Sequence, residues 1–264
     1  MLFAVSAGFG QSLTGGQLRA DGTSVKVFQG AGPNPASIQS AVDQFRAALG
    51  GINNANTPGP LGGGRREINW DGGGSTATSP GATPFDVFLN TRGNRSTTPG
   101  TGFVQAPASG LADFFANPSY ATIFQAFSPV RLFSPVGSNI TETNFFIPGT
   151  AGATAATTRG FGVVLTDVDQ PDGSGPAEKR GNRHSSTLVE FFAADGSLIY
   201  SGFAAASPGD GGLSFLGVVL DDARIARVRI ETAGIPGTDD TADNDVVMLD
   251  DFLYGEPQAQ PALK

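Results

Sequence analysis

An antiparallel β-sandwich, jelly-roll-like, with one N-terminal helix packed on it is the fold expected of this 264-residue chain. Three observations carry that expectation. Six segments of strand composition lie between residues 161 and 254, separated by short polar stretches, a spacing that belongs to sandwiches rather than to alternating α/β folds. Glycine (38) and proline (18) punctuate the chain, while 39% hydrophobic content and 20 phenylalanines leave ample material for a core. Only one segment has the three-and-four spacing of an amphipathic helix.

The elements follow from local composition. Residues 25–28 read as a short strand. Asn34 is a ready N-cap and Pro35 suits the first helical position. Ile38, Ala41, Val42, Phe45 and Leu49 then recur on one face before Gly50 ends the run, so a helix is expected over 35–49. Its apolar stripe needs a sheet face to cover. Residues 51–64 read as a loop and 67–70 as a short strand holding the sole tryptophan; the tract from 71 to 84 and residues 91–102 read as polar loops. Phe114, Phe115 and residues 120–127 form an apolar patch that is ambiguous and admits a short helical turn, and strands are expected at 130–133 and 144–147. Further strands are expected at 161–168, 187–193, 198–203, 213–220, 225–232 and 246–254. Ala194, Asp195, Gly196 and Ser197 form a hairpin signal, and Asp221 to Arg224 a short reversal between two apolar runs. One domain spanning 1–264, with a strand–helix extension over 1–50, is the expected organisation. No period of roughly 20 to 50 residues recurs, which excludes solenoids and propellers.

Composition narrows the chemistry. The chain has no cysteine and one histidine, His184, which excludes thiolate metal sites, cysteine nucleophiles and any single-chain site needing two imidazoles. Net charge is −8, and residues 151–264 carry 17 acidic against 8 basic side chains. That field repels a phosphate backbone, so no nucleic-acid partner is expected. No apolar run approaches the roughly 18 residues of a membrane span. Residues 1–7 have only a faint likeness to the end of a secretory leader. The acids are 18 Asp against 6 Glu, a bias toward turns and oxygen-rich cation sites.

The segments RREINWDG (65–72), FSPVRLFSPVGSN (127–139), GFGVVLTDVD (160–169), GLSFLGV (212–218), RIARVRI (224–230) and DDFLYGEP (250–257) together resemble a family of uncharacterised, exported bacterial proteins. The resemblance implies an extracellular or cell-surface location and brings no established activity. Residues 170–186 are longer and more basic than that family's pattern. More distantly, the closing strand with its paired aspartates resembles jelly-roll carbohydrate-binding modules, in which a structural calcium often joins the first and last strands.

The residues themselves also suggest a hard cation. Asp167, Asp169 and Asp172 precede Gly173 at near-calcium-loop spacing, though without the closing glutamate of an EF-hand. Asp239, Asp240, Asp243, Asp245, Asp250 and Asp251 crowd six carboxylates into thirteen residues, which calls for solvation or a neutralising ion. Apolar residues on both faces of 246–254 require Asp250 or Asp251 to point toward a buried side. Asp71, Asp167, Asp169, Asp250 and Asp251 are therefore the expected Ca²⁺ ligands, converging at one rim. Arg65, Arg66 or Arg131 offer ion pairs instead, and a solvated acidic loop is the plainer reading of 239–245. Trp70, with Arg92, Asn94 and Arg95 as a polar rim, is the expected sugar site, set against a core role for the ring and a solvated loop for 90–96. Paired acids such as Asp71 with Glu67, or Asp250 with Glu190, would suit a glycosidase. No Gly-x-Ser-x-Gly elbow occurs. The expected function is a non-enzymatic extracellular binding or adhesion module, glycan-binding and calcium-stabilised. The alternatives are a self-associating subunit of a surface fibre or layer and a carboxylate-based polysaccharide-cleaving enzyme.

Overall fold

A computed structural model describes residues 13–18, 24–170, 186–241 and 243–260. In chain order its elements begin with β1 (Leu13–Leu18), β2 (Ser24–Gly32), α1 (Pro35–Leu49), β3 (Arg65–Ile68), β4 (Ser79–Ala82), α2 (Leu89–Arg92), β5 (Asn94–Thr97) and β6 (Gly102–Ala106). There follow α3 (Ala108–Phe115), α4 (Tyr120–Ile123), β7 (Leu132–Val136), β8 (Ile140–Phe145), β9 (Ala156–Thr157) and β10 (Gly160–Thr166). The last are β11 (Leu188–Phe192), β12 (Leu198–Phe203), β13 (Leu213–Leu220), β14 (Arg227–Glu231), β15 (Met248–Gly255) and β16 (Gln258–Ala259).

Two antiparallel sheets face each other as a sandwich. The larger runs β1-β2-β13-β10-β15-β7-β6-β4, with β3 also on β15, and the smaller runs β12-β11-β14-β8-β5. Their inner faces enclose one apolar core that includes Trp70, Phe103, Phe133, Phe161, Phe191 and Phe252. The hairpin at 194–197 joins β11 to β12 as expected. The reversal after Asp221 does not make a hairpin: β13 pairs with β10 and β2, whereas β14 pairs with β11 and β8. The turn therefore carries the chain from one sheet to the other, a choice set by distant pairing partners that a local turn signal does not encode.

The helix α1 has the expected limits. Asn34 accepts the N–H of Ser37 at 3.2 Å, Pro35 opens the first turn, and Ile38, Ala41, Val42, Phe45 and Leu49 are buried. That stripe lies on the outer face of the larger sheet against Phe28, Val164, Phe215, Val219 and Leu253. Each large side chain so covered contributes roughly 1.5–3 kcal/mol. Gly162 and Gly217 stand opposite each other in the sheet; a Cβ on them would come within 2.8 and 2.6 Å of the Phe45 ring. Their bare backbones form the notch that seats the helix.

The apolar patch that admits a short helical turn is realised as two short helices, which form a second helical layer. The helices α3 and α4 cover the other end of the outer face, packing Leu111, Tyr120, Ile123 and Phe124 on Val104, Leu132, Val246 and Met248. They are too short to display a helical period. The edge strand β4 contains Pro80, and β5 lies in the segment read as a polar loop. Proline at a sheet edge costs no ladder hydrogen bond. Among the described residues, no helix is long and apolar enough to cross a membrane.

Candidate functional site

The centre of the site is an irregularity in β15. Phe252 faces Val163 and Leu249 faces Leu165, so two residues of β15, Asp250 and Asp251, stand opposite the single residue Val164. This is a β-bulge, which re-aims side chains locally. It keeps Leu249 and Phe252 in the sandwich core, while both aspartates turn toward the outer face that α1 covers. The other edge of β15 is split at the same place. There β7 touches it only at Leu249, and β3 takes over from Phe252. The Trp70 indole N–H fills the gap by donating to the Asp250 carbonyl at 2.8 Å.

Above the bulge lies a cleft of about 250 Å³ lined by Arg46, Asn53, Glu67, Asn69, Arg92, Ser128 and Asp251. Every lining side chain is polar. Arg46 of α1 donates to both oxygens of Glu67, at 3.1 and 3.0 Å, and Arg65 donates to the same carboxylate. Burial works against the Glu67 charge, but these hydrogen bonds outweigh it and hold the carboxyl below the ordinary range. Arg92 donates to Asn56 and to the Glu67 carbonyl. Asp251 accepts the Ser128 hydroxyl and lies 4.0 Å from Arg46. Asp250 accepts the Phe127 N–H at 2.6 Å. Burial pushes Asp251 up to about 6 against the Ser128 hydrogen bond. Asp250, fully enclosed, is pushed well above the ordinary range by burial and then by the Asp251 charge.

A second acidic group sits where residues 167–170, 207–212, 239–241 and 243–246 meet. Asp245 accepts the N–H groups of Asp169 (3.1 Å) and Gln170 (3.3 Å) on one oxygen, Asp167 accepts Gly211 N–H at 3.2 Å, and Asp240 accepts Val246 N–H at 2.8 Å. Burial first, then the neighbouring carboxylates, raise Asp167 to about 8. Burial, opposed by the two N–H donors, raises Asp245 to about 7.

The structure distributes the expected cation ligands over three settings rather than one rim. Asp71 is occupied by the N–H groups of Val130 (2.7 Å) and Arg131 (2.8 Å) and by the Asn69 amide. Asp167 and Asp169 join Asp240 and Asp245, and Asp250 and Asp251 occupy the bulge. Among the described residues, no three acidic or histidine side chains are already arranged as a metal cage. The arginines proposed as neutralisers serve elsewhere: Arg66 pairs with Glu256, Arg65 with Glu67, and the Arg131 guanidinium with the Trp70 carbonyl. The Trp70 ring is fully buried and stacks on Phe133 at 3.8 Å, so it offers no face to a ligand. Of the polar rim, Arg92 lines the cleft, Asn94 is buried, and Arg95 forms a surface pair with Asp86. His184 and Asp172 lie outside the described residues.

Sequence reading missed Arg46, Asn53, Asn69 and Ser128 as cleft residues. Each is polar on an otherwise ordinary helix or loop, and only tertiary packing brings them together. A larger hollow of about 680 Å³ near Tyr200, Phe203 and residues 204–206 has no charged side chain in its lining.

No family model and no curated protein matches the chain. Among solved structures, the lectin domain of lectinolysin complexed with Lewis B antigen matches over 74% of this chain and 98% of that one, with 11% identity and a TM-score of 0.23. A likeness that slight assigns neither fold nor ligand.

Proposed function

We propose that the chain is a saccharide-binding module whose site is the cleft bordered by Arg46, Glu67, Arg92 and Asp251. The observation that supports it is the lining: two guanidinium groups, two amides, a hydroxyl and two carboxylates, several held in place by the hydrogen bonds and ion pairs just described. A ligand dense in hydroxyl groups can both donate and accept against such a wall, and positioned partners lose little freedom on binding. An extracellular or cell-surface setting belongs to this reading. On a glycan array, the full chain is expected to retain a restricted set of sugars, and Arg92→Ala to lose them. Retention of the same sugars by Arg92→Ala would refute the assignment.

One observation favours a second reading, a carboxylate-based glycosidase. Glu67 is held low and Asp251 is raised to about 6 in the same cleft, the separation of carboxyl acidities that general acid–base chemistry uses. Release of reducing ends from a bound polysaccharide, abolished by Asp251→Asn, would establish cleavage. Binding without release leaves the module reading.

A further inference from the structure

The acidic group at 167–170, 239–241 and 243–246 is separate from the cleft and has a property that solvated acidic loops lack. Asp167 and Asp245 are each only 1% exposed. In each, one carboxylate oxygen takes backbone N–H donors while the other, Asp167 Oδ2 and Asp245 Oδ1, is buried without any hydrogen-bond partner. A buried carboxylate oxygen left bare forfeits its hydration with nothing in return. Two such oxygens occur in one group whose members repel one another electrostatically, Asp167 against Asp240, Asp169 and Asp245. Among the described residues, no basic side chain is one of the main electrostatic influences on Asp167, Asp240 or Asp245.

We propose that Asp167 and Asp245, with Asp169 and Asp240 beside them, bind one calcium ion. The donors are all oxygen, which selects a hard cation over zinc or copper. Calcium accepts six to eight oxygens in flexible geometry, so two buried carboxylates can be supplemented by water and main-chain carbonyls. Magnesium demands a near-ideal octahedron and keeps its water, and is the poorer fit. Among the described residues these aspartates do not form a preassembled metal cage. The ion would tie the end of β10 to the loop entering β15 and to residues 207–212. Asp71, Asp250 and Asp251 take no part in it.

The test is calorimetric titration of calcium into the chelator-stripped full chain at pH 7.5, paired with thermal unfolding. One site is expected, with a dissociation constant between about 10⁻⁶ and 10⁻³ M, and saturating calcium should raise Tm by roughly 5 °C. Asp245→Asn and Asp167→Asn keep an oxygen for the N–H donors and put an amide where the bare oxygen was. Each should unfold at or above the temperature of the stripped parent while losing the calcium shift. Should either fail to fold, the half-buried Asp240→Asn should weaken calcium binding at least threefold. Arg92→Ala, in the cleft, should retain the full calcium shift, which separates this inference from the saccharide reading. No heat and no Tm change in the parent at about 10 mM calcium would overturn the proposal, as would an undiminished shift in Asp245→Asn.

Discussion

Asp250 and Asp251 are neighbours in sequence yet leave β15 on the same side, because both stand opposite Val164. In a regular strand one of them would enter the phenylalanine-rich core. The bulge instead places both under α1, one accepting the Phe127 N–H and the other the Ser128 hydroxyl. Two carboxyls in so little water are expensive to ionise, and that cost has a pH signature.

Both carboxyls are raised in the folded chain. Above the ordinary carboxylate pKa the folded state therefore holds more protons than the unfolded state, and stability falls as pH rises from about 4 through about 6 and beyond. Asp250→Asn supplies a neutral group of the same shape that still accepts the Phe127 N–H. Its gain over the parent is expected to be near zero at pH 4 and to grow steadily as the pH is raised to 8, read by urea unfolding at both pH values with calcium present. A gain equal at both pH values would show that the carboxyls titrate normally.

The contact between Arg46 and Glu67 pins α1 to the sheet as well as shaping the cleft. Both side chains keep some exposure, 23% and 16%, so the pair is worth less than a buried one. A double-mutant cycle with Arg46→Ala and Glu67→Ala should return a coupling of about 1 kcal/mol. A coupling indistinguishable from zero would mean that the helix is held by its apolar stripe alone.

Arg66 and Glu256 form a fully buried ion pair, with side-chain exposures of 0% and 1%. Arg66 also donates to the carbonyls of Ala55, Thr57 and Thr91, and Glu256 accepts from Asn54 and Leu61. Removing the guanidinium strands a buried carboxylate and frees the loop. Arg66→Met should cost about 3–5 kcal/mol and expose residues 54–61 to limited proteolysis. Wild-type resistance in that loop would contradict this account.

The notch for Phe45 gives a packing test. Gly217→Ala puts a methyl within 2.6 Å of the ring, and overpacking of this kind typically costs 1–3 kcal/mol. Thermal unfolding should show the loss, and Gly217→Ala combined with Phe45→Leu should recover part of it. A fully neutral Gly217→Ala would mean that α1 seats elsewhere.

What was legible in the sequence was local. The Asn34 cap, Pro35 and five apolar positions define α1, and β12 and β13 begin and end where composition put them. What was hidden depended on distant partners. The bulge exists only relative to β10, and Arg66 meets Glu256 across 190 residues. Strand alternation correctly required a buried acid at 250 or 251, but not that both would be buried. Trp70 could be a platform or a core ring by composition. Its stack on Phe133 and its bond to Asp250, both tertiary, decide for the core.

Ligand-observed NMR tests the central claim most directly, with saturation transfer from the full chain, in buffer with added calcium, to a panel of neutral and acidic mono- and disaccharides. Transfer to at least one sugar is expected, lost in Arg92→Ala and Asn69→Ala and retained in Tyr200→Ala, which lies in the other hollow. Absence of transfer to every sugar, or transfer unchanged by both cleft substitutions, would contradict it.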